Sequence, residues 1–178
     1  MQPTFTTERL ILRPRTLADT EACLDMDRRP GALQHIGVSW DDPAAHRAHI
    51  ESRTRGPYPP GMGYWTVLDR VADPRFLGWV ELVPEHTAGP RIEIGWRLVP
   101  EAWGRGLATE AARRLLRHAF ETLDLPEVVA YIDPANHRSI RVAEKLGLLP
   151  RGELADATGV SVVYVGTIRL GGQTDAHG

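Results

Sequence analysis

The feature that most limits the fold of this chain is the turn Gly104-Arg105-Gly106, which joins a strand-like segment to a helix-like one. Before the turn, residues 91–99 alternate polar and apolar side chains, a pattern typical of a strand. After it, apolar residues recur every four positions, from Leu107 to Ala119 and from Ala108 to Phe120. This spacing predicts a helix with one broad buried face. A strand and a helix must therefore meet at the turn.

The turn also has the chemistry of an anion-binding site. Glycine allows positive φ angles and close approach of a ligand, and the free N–H groups of a first helical turn converge on one point. Those donors and the helix dipole favour phosphate oxygens, and Arg105 adds a positive charge beside them. A Walker loop is excluded because no Gly-Lys-Ser/Thr sequence follows.

Two other interpretations of the turn stay open. One is a plain reversal of the chain, for which the glycines supply only the backbone angles. The other is a dinucleotide site of the Rossmann type. In that case Thr109 holds the place of the third glycine, and the next acid at a strand end, Asp133, follows Gly104 by 29 residues rather than the usual ~20.

The other segments predict one α/β (α+β) domain with a mixed, mostly antiparallel sheet of about six to seven strands and about four helices. Strands are predicted over 8–13, 64–69, 76–83, 91–99, 128–132 and 160–170, and helices over 19–26, 42–53, 107–120 and 136–146. The proline- and glycine-rich segment 56–63 is predicted to be a loop. Residues 1–170 are predicted to form the domain and 171–178 a disordered tail.

Charge and composition exclude several kinds of protein. With 21 basic and 23 acidic residues the net charge is −2, so no nucleic acid is expected as a partner. Cys23 is the only cysteine, which rules out an internal disulfide and fits a reducing cytoplasm. No signal peptide and no run of about 18 apolar residues is present, so we expect a cytoplasmic protein without a membrane partner.

Two linked motifs resemble the GNAT acyltransferase superfamily. The run from Glu93 to Ala111 resembles its motif A, and Asn136-His137-Arg138-Ser139 with Glu144-Lys145-Leu146-Gly147-Leu148 resembles the Asn-x-x-Ser and Lys-x-Gly-Phe motif of the next helix. The opening run from Glu8 to Arg13 is similar to the first strand of the RimJ/RimL branch, the ribosomal-protein-alanine acetyltransferases. The resemblance spans residues 5–170 in matching element order.

This resemblance implies an acetyl-CoA-dependent N-acetyltransferase that needs no metal and whose relatives are commonly homodimers. It implies that main-chain N–H groups hold the coenzyme A pyrophosphate at six residues: Gly104, Arg105, Gly106, Leu107, Ala108 and Thr109. It further implies that the pantetheine arm lies in a slot where the strands 91–99 and 128–132 splay apart. There it would contact the strand end at Trp96, Arg97 and Leu98, and the side chain of Asn136.

The chain departs from the family pattern at two positions. Trp103 stands where the family usually has Gln or Arg, a change that leaves the main-chain contacts to the pyrophosphate intact. Ala143 stands where many relatives have the tyrosine that protonates the leaving thiol. The missing tyrosine motivates an alternative function, that of a protein that binds acyl-CoA without turnover.

Proton transfer requires its own candidates. Ser139 is the candidate donor to the thiolate, because it lies one helical turn from Asn136 on the same face; a capping hydroxyl is the structural alternative. Glu93 is the candidate base, directly or through water, with Glu81 as a substitute. For Glu93 the structural alternative is an ion pair with one of the arginines at 91 and 97. A main-chain N–H near Leu98 would stabilise the oxyanion.

The acceptor is expected to be a primary amine, either a protein N-terminal α-amine or a small amine such as an aminoglycoside, a polyamine or an amino-acid derivative. The variable segment from Gly31 to Gly63 would build its pocket, with Trp65 or Trp79 as a wall. The remaining reactive side chains are expected to be structural. Cys23 is expected to be half-buried, and the histidines at 46 and 49 are expected on a solvated helix face rather than around a metal.

Overall fold

The computed structural model describes residues 2–36, 40–85, 91–156 and 159–167. Its strands are β1 (Phe5–Thr6), β2 (Leu10–Pro14), β3 (Gly63–Asp69), β4 (Phe76–Pro84), β5 (Ile92–Leu98), β6 (Glu127–Ile132), β7 (Leu149–Asp156) and β8 (Gly159–Thr167). Its α-helices are α1 (Thr20–Asp27), α2 (Pro43–Arg55), α3 (Leu107–Arg117) and α4 (His137–Lys145). The predicted tail and residues 168–170 lie outside the described residues.

The strands form one sheet in the order β1-β2-β3-β4-β5-β6-β8-β7. Every neighbouring pair is antiparallel except β5 and β6, which are parallel. The predicted fold class is therefore confirmed. The strand count exceeds the expected six to seven because β1 and β7 were not foreseen. β7 contains Pro150 and Gly152, which weaken a strand signal but are tolerated because β7 lies at the sheet edge.

The helix starts follow from capping chemistry. Pro43 opens α2, and the Asp42 carboxylate accepts the Ala44 N–H at 2.8 Å. Gly106, with φ +76°, precedes α3, which runs to Arg117 and continues as a wider π-type turn over His118–Thr122. The strong helical periodicity after the glycine turn is thus confirmed, including Phe120 beyond the regular α-helix.

The two faces of the sheet carry different helices. α3 packs on the face that buries Leu82, Ile94 and Leu98, and its own buried side chains include Ala111 and Leu115. On the opposite face, α1 and α2 form a smaller cluster of Cys23, Leu24 and Ile50, against which Phe76 and Trp79 pack. Alternation along β5 consequently turns its odd-numbered side chains towards α1.

The burial of Cys23 corrects one expectation from the sequence. Cys23 is fully buried rather than half-buried, and burial raises the pKa of its thiol to about 11. It is therefore unreactive at neutral pH. Among the described helices, none combines the length and the apolar content that crossing a bilayer requires.

Candidate active site

A gap opens between the two parallel strands in the middle of the sheet. β5 and β6 are paired only at Glu93 and Val129, although β5 continues to Leu98 and β6 to Ile132. Val99 N–H donates to the Leu77 carbonyl on the β4 side at 2.9 Å. Main-chain groups alternate in direction along a strand, so the N–H groups of Trp96 and Leu98 face the gap. The predicted splayed pair is confirmed.

The glycine turn lies at one end of this gap. Gly104 and Gly106 both have positive φ angles, +71° and +76°. A Cβ would meet nothing within 4 Å at Gly104 and only the Arg9 guanidinium, at 3.7 Å, at Gly106. The glycines are therefore required by backbone conformation and not by crowding inside the protein, and the space in front of them is free for a ligand.

The start of the chain holds the turn in place. The Glu110 carboxylate in the first turn of α3 accepts the Thr7 hydroxyl at 2.6 Å and the Arg9 main-chain N–H at 2.9 Å. Burial alone would raise the pKa of Glu110, but these hydrogen bonds and the Arg9 charge lower it below its usual value. Arg9 also donates to the Arg105 carbonyl at 3.0 Å. No local pattern in the sequence indicates these contacts, because their partners are about a hundred residues apart.

A cavity of about 720 Å³ extends from the turn along the gap. Nine of the ten residues expected to bind the coenzyme line it: Trp96, Arg97, Leu98, Gly104, Gly106, Leu107, Ala108, Thr109 and Asn136. Arg105 does not line it, and its side chain is exposed. The charged lining is basic, with Arg97, Arg138, Arg141 and Lys145 and no Asp or Glu among the described lining residues. We call this space the donor cavity.

A second cavity, of about 540 Å³, lies on the side of the sheet that faces α1. Its acidic lining residues are Glu81, Glu93 and Asp133. We call it the acceptor cavity. The two cavities meet, since both are lined by the same seven residues: Gln34, His35, Ile36, Trp96, Arg97, Asn136 and Ser139. Trp79 lines the acceptor cavity, whereas Trp65 is fully buried and does not.

The carboxylates of Glu93 and Glu81 both line the acceptor cavity and interact electrostatically. Glu81 lies opposite Gly95, where a Cβ would come within 2.5 Å of its Oε1, so the missing side chain makes room for this carboxylate. Burial, and next the charge of Glu81, raise the pKa of Glu93 to about 8. A pKa raised in this way suits a base that works at slightly alkaline pH.

Arg97 takes a different partner from the one considered in the sequence. Its guanidinium donates to Asp27 on α1 at 2.9 Å, and the other Asp27 oxygen lies 2.9 Å from His46 Nε2. The expected ion pair with Glu93 is therefore wrong for Arg97. His46 is buried, so the expected solvated position is wrong for it too, while His49 is exposed. No group of three or more metal-ligating side chains occurs among the described residues.

Comparison with known proteins agrees with this geometry. The profile described as "Acetyltransferase (GNAT) domain" matches residues 9–149. The chain belongs to the GNAT acetyltransferase family. A transferase of Aspergillus fumigatus, "FsC-acetyl coenzyme A-N(2)-transacetylase", is 32% identical over 156 residues, which cover 83% of this chain and 65% of that protein. The chain thus spans slightly less than two thirds of the length of this relative.

Two further acetyltransferases are similar to this chain over most of their length. The uncharacterised N-acetyltransferase YnaD of Bacillus subtilis is 37% identical over 153 residues, 83% of this chain and 84% of that protein. The crystal structure of an acetyltransferase from Agrobacterium tumefaciens superposes with a TM-score of 0.75 at 32% identity, covering 93% of this chain and 95% of that one.

The second GNAT motif of this chain lies where the two cavities join. Asn136 caps α4, and its Oδ1 accepts the Ser139 N–H at 3.1 Å. Asn136, and not the Ser139 hydroxyl, is therefore the capping side chain. Ser139 is half-buried and lines both cavities. Ala143, at the position of the family tyrosine, is fully buried and lines neither cavity.

One polar contact in the candidate site of this GNAT domain was not predicted. His35, in the segment between α1 and α2, has its Nδ1 2.7 Å from the Asp133 carboxylate at the end of β6. Both side chains line the acceptor cavity, and His35 also lines the donor cavity. Ninety-eight residues separate the two in sequence, and neither belongs to a recognisable motif.

Proposed function

We propose that this protein is an N-acetyltransferase that uses acetyl-CoA and acetylates a primary amine by direct attack in a ternary complex, without a covalent enzyme intermediate. The observation that carries the proposal is the separation of charge between two joined cavities. The charged lining residues of the donor cavity are all basic, whereas the acceptor cavity has three acidic residues, Glu81, Glu93 and Asp133, against one arginine, Arg97, which it shares with the donor cavity. An anionic donor and a cationic acceptor are each matched by the charge around them.

The residues of the donor cavity fit coenzyme A, which would supply the acetyl group as a thioester. The positive-φ glycines leave open space in front of the first turn of α3, where main-chain N–H groups favour a pyrophosphate. The N–H groups of Trp96 and Leu98 face the gap, as an extended amide-containing arm requires. Arg105 is the weakest member of the proposed set, since its contribution is limited to its main-chain N–H.

The acidic lining of the acceptor cavity favours an amine that arrives as a cation. A protein N-terminal α-amine, as in the RimJ/RimL branch, and a small amine both satisfy this requirement. The Aspergillus relative is named for transfer to an N(2) nitrogen, which supports a nitrogen acceptor. Trp79, with the Arg97 guanidinium 5.0 Å from its ring, forms part of the wall beside which such an amine would lie.

Within this proposal each polar group has a role. Glu93 takes the proton of the incoming ammonium, directly or through water, since its raised pKa of about 8 is close to that of an α-amine. The Leu98 N–H stabilises the negative charge that develops on the carbonyl oxygen. Ser139 donates to the sulfur as the thiolate leaves. Holding the amine and thioester together supplies much of the rate enhancement.

The test combines a binding measurement with an acceptor screen. Calorimetric titration with coenzyme A should show one site per chain, and mass spectrometry should detect an added acetyl group on one or more amines from a panel of peptides and polyamines. Failure to bind coenzyme A would refute the proposal. Tight binding with no thiol release above background for any amine would favour the non-catalytic sensor. Thermal stabilisation by NAD but not by coenzyme A would favour the dinucleotide site.

A further inference from the structure

The contact between His35 and Asp133 is a charged hydrogen bond at the junction of the two cavities. The Asp133 Oδ1 accepts the Ala135 N–H at 2.8 Å, and its Oδ2 lies 2.7 Å from His35 Nδ1. The Ala135 N–H and then the His35 ring lower the pKa of Asp133 below its usual value. Asp133 is therefore ionised at neutral pH, and it fixes the imidazole with Nδ1 as the donor.

The segment that carries His35 is attached on both sides of the gap. Arg29 pairs with Glu101 at 2.9 Å, next to the turn of the donor cavity, and a Cβ at Gly31 would touch the Trp103 ring at 3.7 Å. At its other end the segment reaches Asp133 on β6. His35 thus lies across the open end of the β5 and β6 pair, where Ser139 also lines both cavities.

Acetyl transfer in this chain lacks an obvious acid. Ala143 is buried away from both cavities. A serine hydroxyl is a far weaker acid than a thiol. Ser139 can therefore pass a proton to a thiolate only if another group gives Ser139 a proton in return. An imidazolium, with an ordinary pKa of about 6.5, is a stronger acid than a thiol of about 8.5, so its proton moves to a thiolate favourably.

We propose that His35 supplies the proton that the departing thiolate of coenzyme A receives, and that Asp133 positions its ring. The inference rests on the proposed acetyltransferase function. The amine nitrogen bonds to the acetyl carbon, the carbon–sulfur bond breaks, and its electron pair goes to sulfur. His35 acts as the imidazolium, in which Nδ1–H donates to Asp133 and Nε2 carries the second proton; this Nε2 proton passes to sulfur, directly or through the Ser139 hydroxyl. Glu93 passes the proton of the incoming ammonium to solvent before the attack and then takes the second amine proton, and solvent reprotonates His35.

The decisive variant is His35→Gln. A glutamine amide can still donate to Asp133 and keep the segment attached, but it cannot transfer a proton. We expect the single-turnover rate of thiol release to fall at least about 100-fold, the usual contribution of a general acid. The Kd for coenzyme A should stay within about threefold of wild type, because the attachment is kept. His49→Gln is the matched control, since His49 is exposed on α2 and lines neither cavity.

Two further variants separate proton transfer from attachment. In His35→Ala, added imidazole should restore part of the rate. Asp133→Asn should slow thiol release with the acetyl-CoA KM little changed, as expected of a positioning residue. A wild-type rate in His35→Gln, or a change confined to coenzyme affinity, would overturn the role of His35 while leaving the acetyltransferase intact. A wild-type protein that neither binds coenzyme A nor releases thiol would overturn the proposed function itself.

Discussion

Replacing Gly106 with alanine tests the coenzyme site at its most specific point. Gly106 has φ +76°, an angle that costs an L-residue about 1–2 kcal/mol. In a chain of this size that cost lowers Tm by roughly 2–4 °C per kcal/mol. The added methyl would find no internal clash, since the nearest atom is 3.7 Å away on the Arg9 guanidinium. The protein should therefore fold.

Binding should suffer far more than stability. The methyl group enters the space in front of the first turn of α3, where the pyrophosphate would approach the main chain. Each charge-assisted hydrogen bond lost there costs about 1.5–3 kcal/mol, or a roughly 10- to 150-fold rise in Kd. Calorimetric titration of Gly106→Ala with coenzyme A measures this rise directly, and a thermal melt without ligand measures the stability cost separately.

Gly147 provides the matched control. It has φ +79° just beyond α4, and it lines neither cavity. Gly147→Ala should therefore lose a similar few degrees in Tm and keep the wild-type affinity for coenzyme A. Equal affinities in the two variants would refute the assignment of the pyrophosphate to the turn, whatever their melting temperatures.

Four further predictions concern the polar groups of the site. Ser139→Ala should slow thiol release with near-normal coenzyme A affinity; an unchanged rate would remove the hydroxyl from the mechanism. Glu93→Gln should abolish a rise in kcat/KM centred near pH 8, and Glu81→Gln should move that rise to lower pH, because it removes the like charge that raises the pKa of Glu93. Between about pH 4.5 and about pH 8 the folded state keeps the Glu93 proton and the unfolded state loses it. The free energy of unfolding of wild type, measured against that of Glu93→Gln by urea titration, should therefore fall as pH rises through this range. Asn136→Asp should keep the α4 cap but weaken coenzyme A binding, whereas Asn136→Ala should also lose about 1 kcal/mol of stability; normal affinity in Asn136→Asp would confine Asn136 to capping.

The donor side of the site could be predicted because its signals are local. The helical period after Gly106 and the need for glycine at positive φ are both properties of a short stretch of chain. Those features placed the turn, the start of α3 and the strand before it within a residue or two of their observed positions. β7 was missed for an equally local reason, since Pro150 and Gly152 contradict the usual strand composition.

The acceptor side could not be predicted in the same way. Its charged side chains take partners that are distant in sequence: Arg97 pairs with Asp27, 70 residues away, and His35 with Asp133, 98 residues away. Neither pair lies on one helix or on adjacent strands, so no periodic spacing in the sequence indicates that the two residues are in contact. The considered ion pair between Arg97 and Glu93 followed from proximity in sequence, and a helix packed on the sheet supplied a closer carboxylate instead.

If the proposed function holds, the geometry of β5 explains how one strand can contact two substrates of opposite charge. Its even-numbered residues turn their main-chain N–H groups into the gap, and its odd-numbered positions turn Glu93 and Arg97 towards α1. Gly95 between them admits the Glu81 carboxylate from β4. On the proposed function β5 would contact the donor through its main chain, whose chemistry does not depend on side-chain identity, and the acceptor through side chains. On the proposed function we therefore expect that substitutions of Glu81 and Glu93, which line only the acceptor cavity, can change acceptor preference without disturbing the site for the coenzyme.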